Sequence, residues 1–246
     1  MSTLYLIATP IGNLEDLSRR AERILREVPA LACEDTRVTR VLLDRYAIPK
    51  PGTVFSYHEH NEAQGGRRIV GLLDAGTDVA LCTDGGYPGI SDPGYRIIAE
   101  CVEKGHELEV IPGPSAAPVA LLLSGLPTSS FTFKGFPPRK EGARRRFLDM
   151  DKELPHTLVF YESPFRVGAL LASAREVYGN RMAAVCLELT KKFQRVARGP
   201  LDELASRFKD EKIRGEATIV IAGNHPKFTC GEDDGGDEDD EDTARC

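Results

Sequence analysis

The stretch TDGGYPGISDPG (Thr83 to Gly94) follows the apolar run Val79 to Cys82 without a spacer. Glycine lets a chain turn sharply and approach its neighbours closely, and proline fixes the shape of what lies between. These residues therefore read as a shaped loop at the carboxyl end of a strand. Ligands of open α/β sheets sit at such ends. Two similar stretches stand in the same half of the chain: ATPIGNLED (Ala8 to Asp16) and PGPSA (Pro112 to Ala116). One such loop is equally well explained as a tight connection. Three of them, the first twelve residues long, shift the balance toward a binding site.

Outward from that loop, short β-rich runs alternate with helical patterns. Strands are expected at Thr3 to Ala8, Ala30 to Cys33, Val54 to Tyr57, Val79 to Thr83 and Leu108 to Ile111. Further on they are expected at Phe131 to Phe136, Thr157 to Tyr161, Ala183 to Leu189 and Ala217 to Ala222. Between them, apolar residues recur at helical spacing, as in Leu17/Ala21/Ile24/Leu25/Val28, Val38/Val41/Leu42, Ile97/Ile98/Cys101/Val102, Val167/Leu170/Leu171/Ala174 and Leu201/Leu204/Ala205/Phe208. The alternation predicts an α/β fold, and the length predicts two α/β domains. We expect the boundary at PGPSA or at the GLP of Gly125 to Pro127, giving an N-terminal domain of residues 1–115 that carries the Gly/Pro-rich loops and a C-terminal domain of residues 116–226. Residues 227–246 are almost devoid of apolar side chains and densely acidic, which is the composition of a disordered tail.

The chain has 32 Lys and Arg against 38 Asp and Glu, a formal net charge of −6. Nine of the acids and one arginine lie in residues 231–246, so residues 1–230 hold 31 basic and 29 acidic groups, close to +2. The negative balance belongs to the tail and does not exclude a polyanionic partner. The longest apolar run, around Val119 to Leu123, falls far short of the roughly 20 residues of a membrane span, and a cytoplasmic location without membrane contact is expected. The six cysteines form no CxxC pair or zinc-ligand pattern, and Cys33, Cys82 and Cys186 lie in strand-like runs as small core residues. His58 and His60 lack a clear third ligand, so no metal is expected and substrate contact or loop structure is favoured for them. The absence of GxxxxGK[ST], and of GxGxxG after the first strand, argues against a Walker phosphate cradle and a dinucleotide-binding Rossmann unit.

ATPIGNLED, CEDTR (Cys33 to Arg37), FSYHEHNE (Phe55 to Glu62), the TDGGYPGISDPG loop, IPGPSA, GLPT, GFPPRK (Gly135 to Lys140), FYESP (Phe160 to Pro164) and ELTK (Glu188 to Lys191) resemble, in order, the ribosomal RNA small subunit methyltransferase I family of the tetrapyrrole methylase superfamily. The resemblance runs from Thr3 to about Gly223. It implies S-adenosyl-L-methionine as cofactor, methylation of a cytidine ribose 2′-hydroxyl in small-subunit rRNA, or in the assembled subunit, and a homodimer. It also implies two α/β domains of the tetrapyrrole methylase type, with the cofactor in the cleft between them. The family loop usually reads DAGTPGISDPG and the later motif FYESPHR; here Gly85 and Tyr87 replace Ala and Thr, and Phe165 replaces His. Carried over position by position, the cofactor contacts fall on Pro10, Asp84, Gly86, Tyr87, Ile90, Ser91, Ser115 and Ala116, and on Tyr161, Leu189 and Ala217.

A ribose hydroxyl is a weak nucleophile, so a base or a polarising cation is expected near it. Glu34, Asp35, Glu162, Glu188 and Lys191 each follow a strand within a family motif; Glu162 is the preferred base, Lys191 an electrostatic helper and Glu34 a further candidate. For RNA, Arg139, Lys140, Arg144, Arg145 and Arg146 form the densest basic cluster, expected in a flexible Pro-led stretch. Lys191, Lys192, Arg195 and Arg198 form a second cluster, and Arg37 with Arg40 a third. Two other functions fit the same residues: a small-molecule tetrapyrrole methylase of this fold, or a ribosome-associated binding module without catalysis.

Overall fold

A computed structural model describes residues 2–230. The chain divides after Ala116 into two compact units.

The first unit is a five-stranded parallel sheet of order β3-β2-β4-β1-β5, formed by β1 (Thr3–Ile7), β2 (Ala30–Cys33), β3 (Thr53–Ser56), β4 (Val79–Cys82) and β5 (Glu107–Ile111). Side chains alternate between the two faces with period two, and both faces are buried. Ile7, Leu31, Cys33, Ala80 and Cys82 pack beneath α1 (Arg19–Glu27) and α2 (Thr36–Arg45). Leu4, Leu6, Ala30, Ala32, Val79 and Leu81 pack beneath α3 (Glu62–Asp74) and α4 (Tyr95–Lys104). Neighbouring strands β1 and β4 therefore send their following helices to opposite faces, which opens a crevice at their carboxyl ends. On α2 the buried residues are Thr39, Leu42 and Leu43, so the expected Val38/Val41/Leu42 stripe is rotated and Val41 is 61% exposed. Asp35 caps this helix through the Arg37 N–H, which sets the turn at which its core-facing stripe begins.

The second unit is a mixed sheet of order β6-β7-β10-β8-β9, built from β6 (Phe131–Phe133), β7 (Thr157–Glu162), β8 (Met182–Leu187), β9 (Arg195–Pro200) and β10 (Ala217–Ile221). One face packs on α6 (Glu141–Asp149), α7 (Val167–Tyr178) and α8 (Leu201–Phe208). Helix α5 (Ala116–Ser124) bonds to this sheet: the Cys186 thiol donates to the Ala120 carbonyl and the Arg198 guanidinium to the Leu123 carbonyl. The strand expected at Phe131 to Phe136 ends at Phe133, because Gly135 takes φ +62°. Residues 226–230 fold onto this unit through a short 3₁₀ turn and a bridge between Arg181 and Thr229. The rest of the expected tail, from residue 231, lies outside the described residues. Among the described residues no helix is long and apolar enough to cross a membrane.

Helices α7 and α8 cross at Gly168, where a Cβ would stand 2.5 Å from the Phe208 carbonyl oxygen and 3.1 Å from its carbon. Backbone cannot yield as a side chain does, so Gly168→Ala is expected to lower the unfolding free energy by about 1–3 kcal/mol. Urea denaturation measures it.

Candidate functional site

At the carboxyl edge of the first sheet, four loops are tied together. Thr9 and Gly86 exchange backbone hydrogen bonds of 2.9 and 3.0 Å, joining the loop after β1 to the loop after β4. The Thr9 hydroxyl donates to the Thr83 carbonyl at 2.8 Å. Gly86 sits at φ +84°, a conformation that favours glycine. Tyr87 reaches the loop after β5: its hydroxyl accepts from the Gly113 N–H at 3.0 Å and donates to the Gly113 carbonyl at 3.3 Å. Gly113 in turn lies so close to Ala8 that an added Cβ would be 3.0 Å from the Ala8 Cβ. Tyr87, expected as a ligand contact, thus holds a neighbouring loop. Tyr87→Phe keeps the ring and loses both bonds, and is expected to cost about 1 kcal/mol of stability, read from the urea midpoint.

The loop after β2 joins through carboxylates. The Asp84 N–H donates to Glu34 Oε2 at 3.2 Å, and the Asp35 N–H donates to Asp84 Oδ1 at 3.1 Å. Burial pushes the Glu34 carboxyl above its ordinary pKa, against the lowering effect of the Asp84 N–H. Burial likewise raises Asp84. Hydrogen bonds from Arg37 hold Asp35 down to about 2. Three neighbouring carboxyls are thus graded in acidity by their surroundings. Glu34 Oε1 has no hydrogen-bond partner among the described residues. Arg37, expected to meet RNA, is exposed but spends its charge on Asp35 at 2.6 Å.

Pro10 is buried under the same edge, and its carbonyl oxygen would stand 3.4 Å from a Cβ at Gly85. Ile90 and Ser91 stand exposed on a closed loop, pinned where the Gly89 N–H donates to the Pro93 carbonyl at 3.1 Å. Ser91 adopts φ +62°. Ser115 and Ala116 are half-buried where the β5 loop meets α5. The His58 and His60 rings are 5.9 Å apart, and His58 Nδ1 is buried without a partner among the described residues. Among the described residues no group of three or more His, Cys, Asp or Glu is arranged to hold a metal.

In the second unit, Tyr161, Leu189 and Ala217 lie toward one edge of the sheet. The Ala117 N–H donates to the Tyr161 hydroxyl at 3.2 Å, and the Tyr161 ring packs edge-on against Phe133. Ala217 pairs with Glu162 on one side and Leu187 on the other. Leu189 is buried between two non-glycine residues of positive φ, Glu188 at +51° and Thr190 at +63°. Such strain persists only where the surroundings hold it. Here the Glu188 carboxylate accepts from the Glu216 N–H at 2.9 Å and from Lys191 Nζ at 2.9 Å, in space left by the missing side chain of Gly215.

Several expected roles are corrected by this geometry. Glu162 is buried, with its Oε1 engaged by Arg166 at 2.5 Å and by the Ser163 N–H at 2.7 Å, so its charge is already paired with a cation inside the unit. Lys191 is paired with both Glu188 and Glu216 at 2.9 Å, so its charge is shared between two carboxylates. Burial pulls the Lys191 pKa down, but bonds to Glu216 and Glu188 outweigh it and the net shift is upward. The segment expected to be flexible is largely helix α6. Arg144 is only 6% exposed and donates to the Ser173 hydroxyl and the Arg139 carbonyl, so it is a packing residue and not a phosphate contact. Arg145 pairs with Glu141 and Glu176. Arg139, Lys140 and Arg146 stay exposed. In the second basic cluster, Arg195 pairs with Glu211 and Arg198 caps α5. The sequence reading passed over Thr83 and Thr190, whose hydroxyls are buried without partners among the described residues. Both follow strands inside quoted motifs, the one signal that pointed to them.

Residues 3–205 match the family model described as Tetrapyrrole (Corrin/Porphyrin) Methylases. A Ribosomal RNA small subunit methyltransferase I from Halalkalibacterium halodurans is 44% identical over 92% of this chain and 77% of its own length. The protein of that name from Thermotoga maritima is 43% identical over 91% of this chain and 99% of its own. Among solved structures, uroporphyrin-III C-methyltransferase from Thermus thermophilus, complexed with S-adenosylhomocysteine, aligns with a TM-score of 0.60 at 20% identity, covering 90% of this chain and 97% of that one. Cobalt precorrin-4 methyltransferase aligns at 0.67 with 16% identity, covering 89% of this chain and 94% of that one. These two likenesses bear on the fold alone. The chain belongs to the tetrapyrrole methylase family and, within it, to the ribosomal RNA small subunit methyltransferase I group.

Proposed function

We propose that this protein methylates the ribose 2′-hydroxyl of a cytidine in small-subunit rRNA, with S-adenosyl-L-methionine as methyl donor. Relatives more than 40% identical over most of the chain support this reading over the small-molecule methylases, which share only the fold. The donor fits the loops at the carboxyl edge of the first sheet: their glycine backbone lets a ligand approach main-chain groups closely, and the Thr83 hydroxyl, without a partner among the described residues, offers a polar contact. The family likeness assigns its contacts to Pro10, the Asp84 to Ser91 loop, Ser115, Ala116, Tyr161, Leu189 and Ala217. When bound, it supplies a methyl group activated by a sulfonium leaving group.

The residues of this chain supply position and a proton acceptor. Orientation of the ribose oxygen is worth roughly 7–11 kcal/mol of the barrier in favourable cases. Glu34 takes the hydroxyl proton, and the observation that carries this is its half-buried carboxylate with one oxygen anchored by the Asp84 N–H and the other unengaged among the described residues. A raised carboxyl pKa makes it a better proton acceptor than an ordinary surface glutamate.

The test is incubation with labelled S-adenosylmethionine and small ribosomal subunits that lack the modification. Label on the 2′-oxygen of one cytidine is expected. Transfer to a base or to a tetrapyrrole, or no transfer by protein that binds the donor, overturns the reading. A homodimer, implied by the family likeness, is measured by analytical sedimentation.

A further inference from the structure

We infer that the carboxyl edge of the second sheet is a stacking surface for single-stranded RNA, formed by Phe136, Phe165 and Phe193. The inference rests on the rRNA reading above and adds to it the surface that takes the substrate. Large aromatic side chains left in water are unusual, and here three of them are 53%, 90% and 77% exposed. They follow β6, β7 and β8 in turn. β6 is parallel to β7, and β7 and β8 are each antiparallel to β10, so all three strands end at one edge. Registers agree: Phe133 pairs with Val159, Glu162 with Ala217 and Ala217 with Leu187. Three strand spacings separate β6 from β8, about 14 Å, a width that suits two or three unstacked nucleotides.

Cations accompany the rings. Arg139 and Lys140 follow Phe136, and Lys192 Nζ lies 5.7 Å from the centroid of the Phe193 ring. None of the three has an acidic partner among the described residues. Exposed rings with unpaired cations beside them suit bases joined by phosphates, because every base has a face to stack and every linkage a negative charge. A purely apolar partner would leave those cations buried and unpaired.

The experiment uses the full chain and a fluorescein-labelled single-stranded 12-nucleotide RNA, followed by anisotropy at several salt concentrations. Phe165→Ala and Phe193→Ala are each expected to weaken binding about 5- to 100-fold, with the salt slope unchanged because phosphate contacts stay. Calorimetric affinity for S-adenosylmethionine is expected to be unaffected. Phe165→His and Phe165→Tyr restore most of the lost affinity. Unchanged RNA affinity in both alanine variants overturns the inference. So does a loss traced by sedimentation to dissociation of two copies of the chain, which would make the face a protein interface. RNA binding that responds to these substitutions without any methyl transfer would sink the proposed reaction and leave the surface standing. Methyl transfer with binding indifferent to the phenylalanines would do the reverse.

Discussion

Glu34→Gln slows single-turnover methyl transfer by about 10²–10⁴-fold, with affinity for the methyl donor retained. Glutamine preserves the acceptor for the Asp84 N–H, so the loop after β4 keeps its tie to the loop after β2. What disappears is a carboxyl with both a raised pKa and an oxygen outside any hydrogen bond among the described residues. The pH profile separates this role from a structural one. A base works deprotonated, and burial lifts Glu34 above the ordinary carboxylate value, so wild-type rate falls as pH drops through that raised value. The variant is expected to lack this acid limb. Stability moves the other way. A carboxyl whose pKa is raised on folding binds its proton more tightly in the folded state, so its contribution declines as pH rises from the unfolded to the folded value. Glutamine removes that penalty, and unfolding at neutral pH is expected to be no easier in the variant. Glu162→Gln makes the contrast: it breaks a buried ion pair with Arg166, so the expected change is a loss of stability with the acid limb intact.

Gly215→Ala has the second large effect, and it acts at a distance from any reacting atom. A Cβ there would lie 1.8 Å from Glu188 Oε1 and 2.8 Å from its Cγ, so the carboxylate must leave its place. Its departure leaves Lys191 with Glu216 alone, frees the Glu216 N–H and removes the support for two left-handed residues around Leu189. Gly215 itself sits at φ +83°, which adds backbone strain. The sum is expected to be about 2–4 kcal/mol of stability, together with a raised KM for the methyl donor through displacement of Leu189. Gly76→Ala is the control. Its φ is +80° but nothing lies within 4 Å of the added carbon, so it carries the strain without the collision. An equal loss in both variants would show that Glu188 is not the cause.

Most strands announced themselves because each is a short apolar run bounded by loop residues, as in Val79 to Cys82. Strand β9 did not. It lies at the sheet edge, where only Ala197 and Gly199 turn inward, and Arg195 and Arg198 gave it the look of a basic loop. Helix α3 was hidden by its glycines, which weaken helix propensity; Gly65 is there because a Cβ would be 2.7 Å from the Tyr57 ring. Helix α6 was masked by its arginines until packing of Arg144 on Ser173 revealed which face is inside. In the candidate site, glycine and proline marked the loops, but the ties between them depend on strand order. Glu34 meets Asp84 because β2 is the neighbour of β4, a fact that no local pattern records. Glu162 and Lys191 looked like chemistry for the same reason: their partners Arg166 and Glu216 become partners only after folding sets their distances.

The bonds that join Thr9 to Gly86, Asp84 to Glu34 and Tyr87 to Gly113 turn four loops into a single braced surface. Ordering a free backbone costs about 1–2 kcal/mol per residue, and here that cost falls on folding. A ligand meeting such a surface gains affinity from the start, because little is left to immobilise. The same bracing removes adaptability: a bulkier guest can be admitted only by breaking a brace, so selectivity here is a matter of shape and is set before the guest arrives.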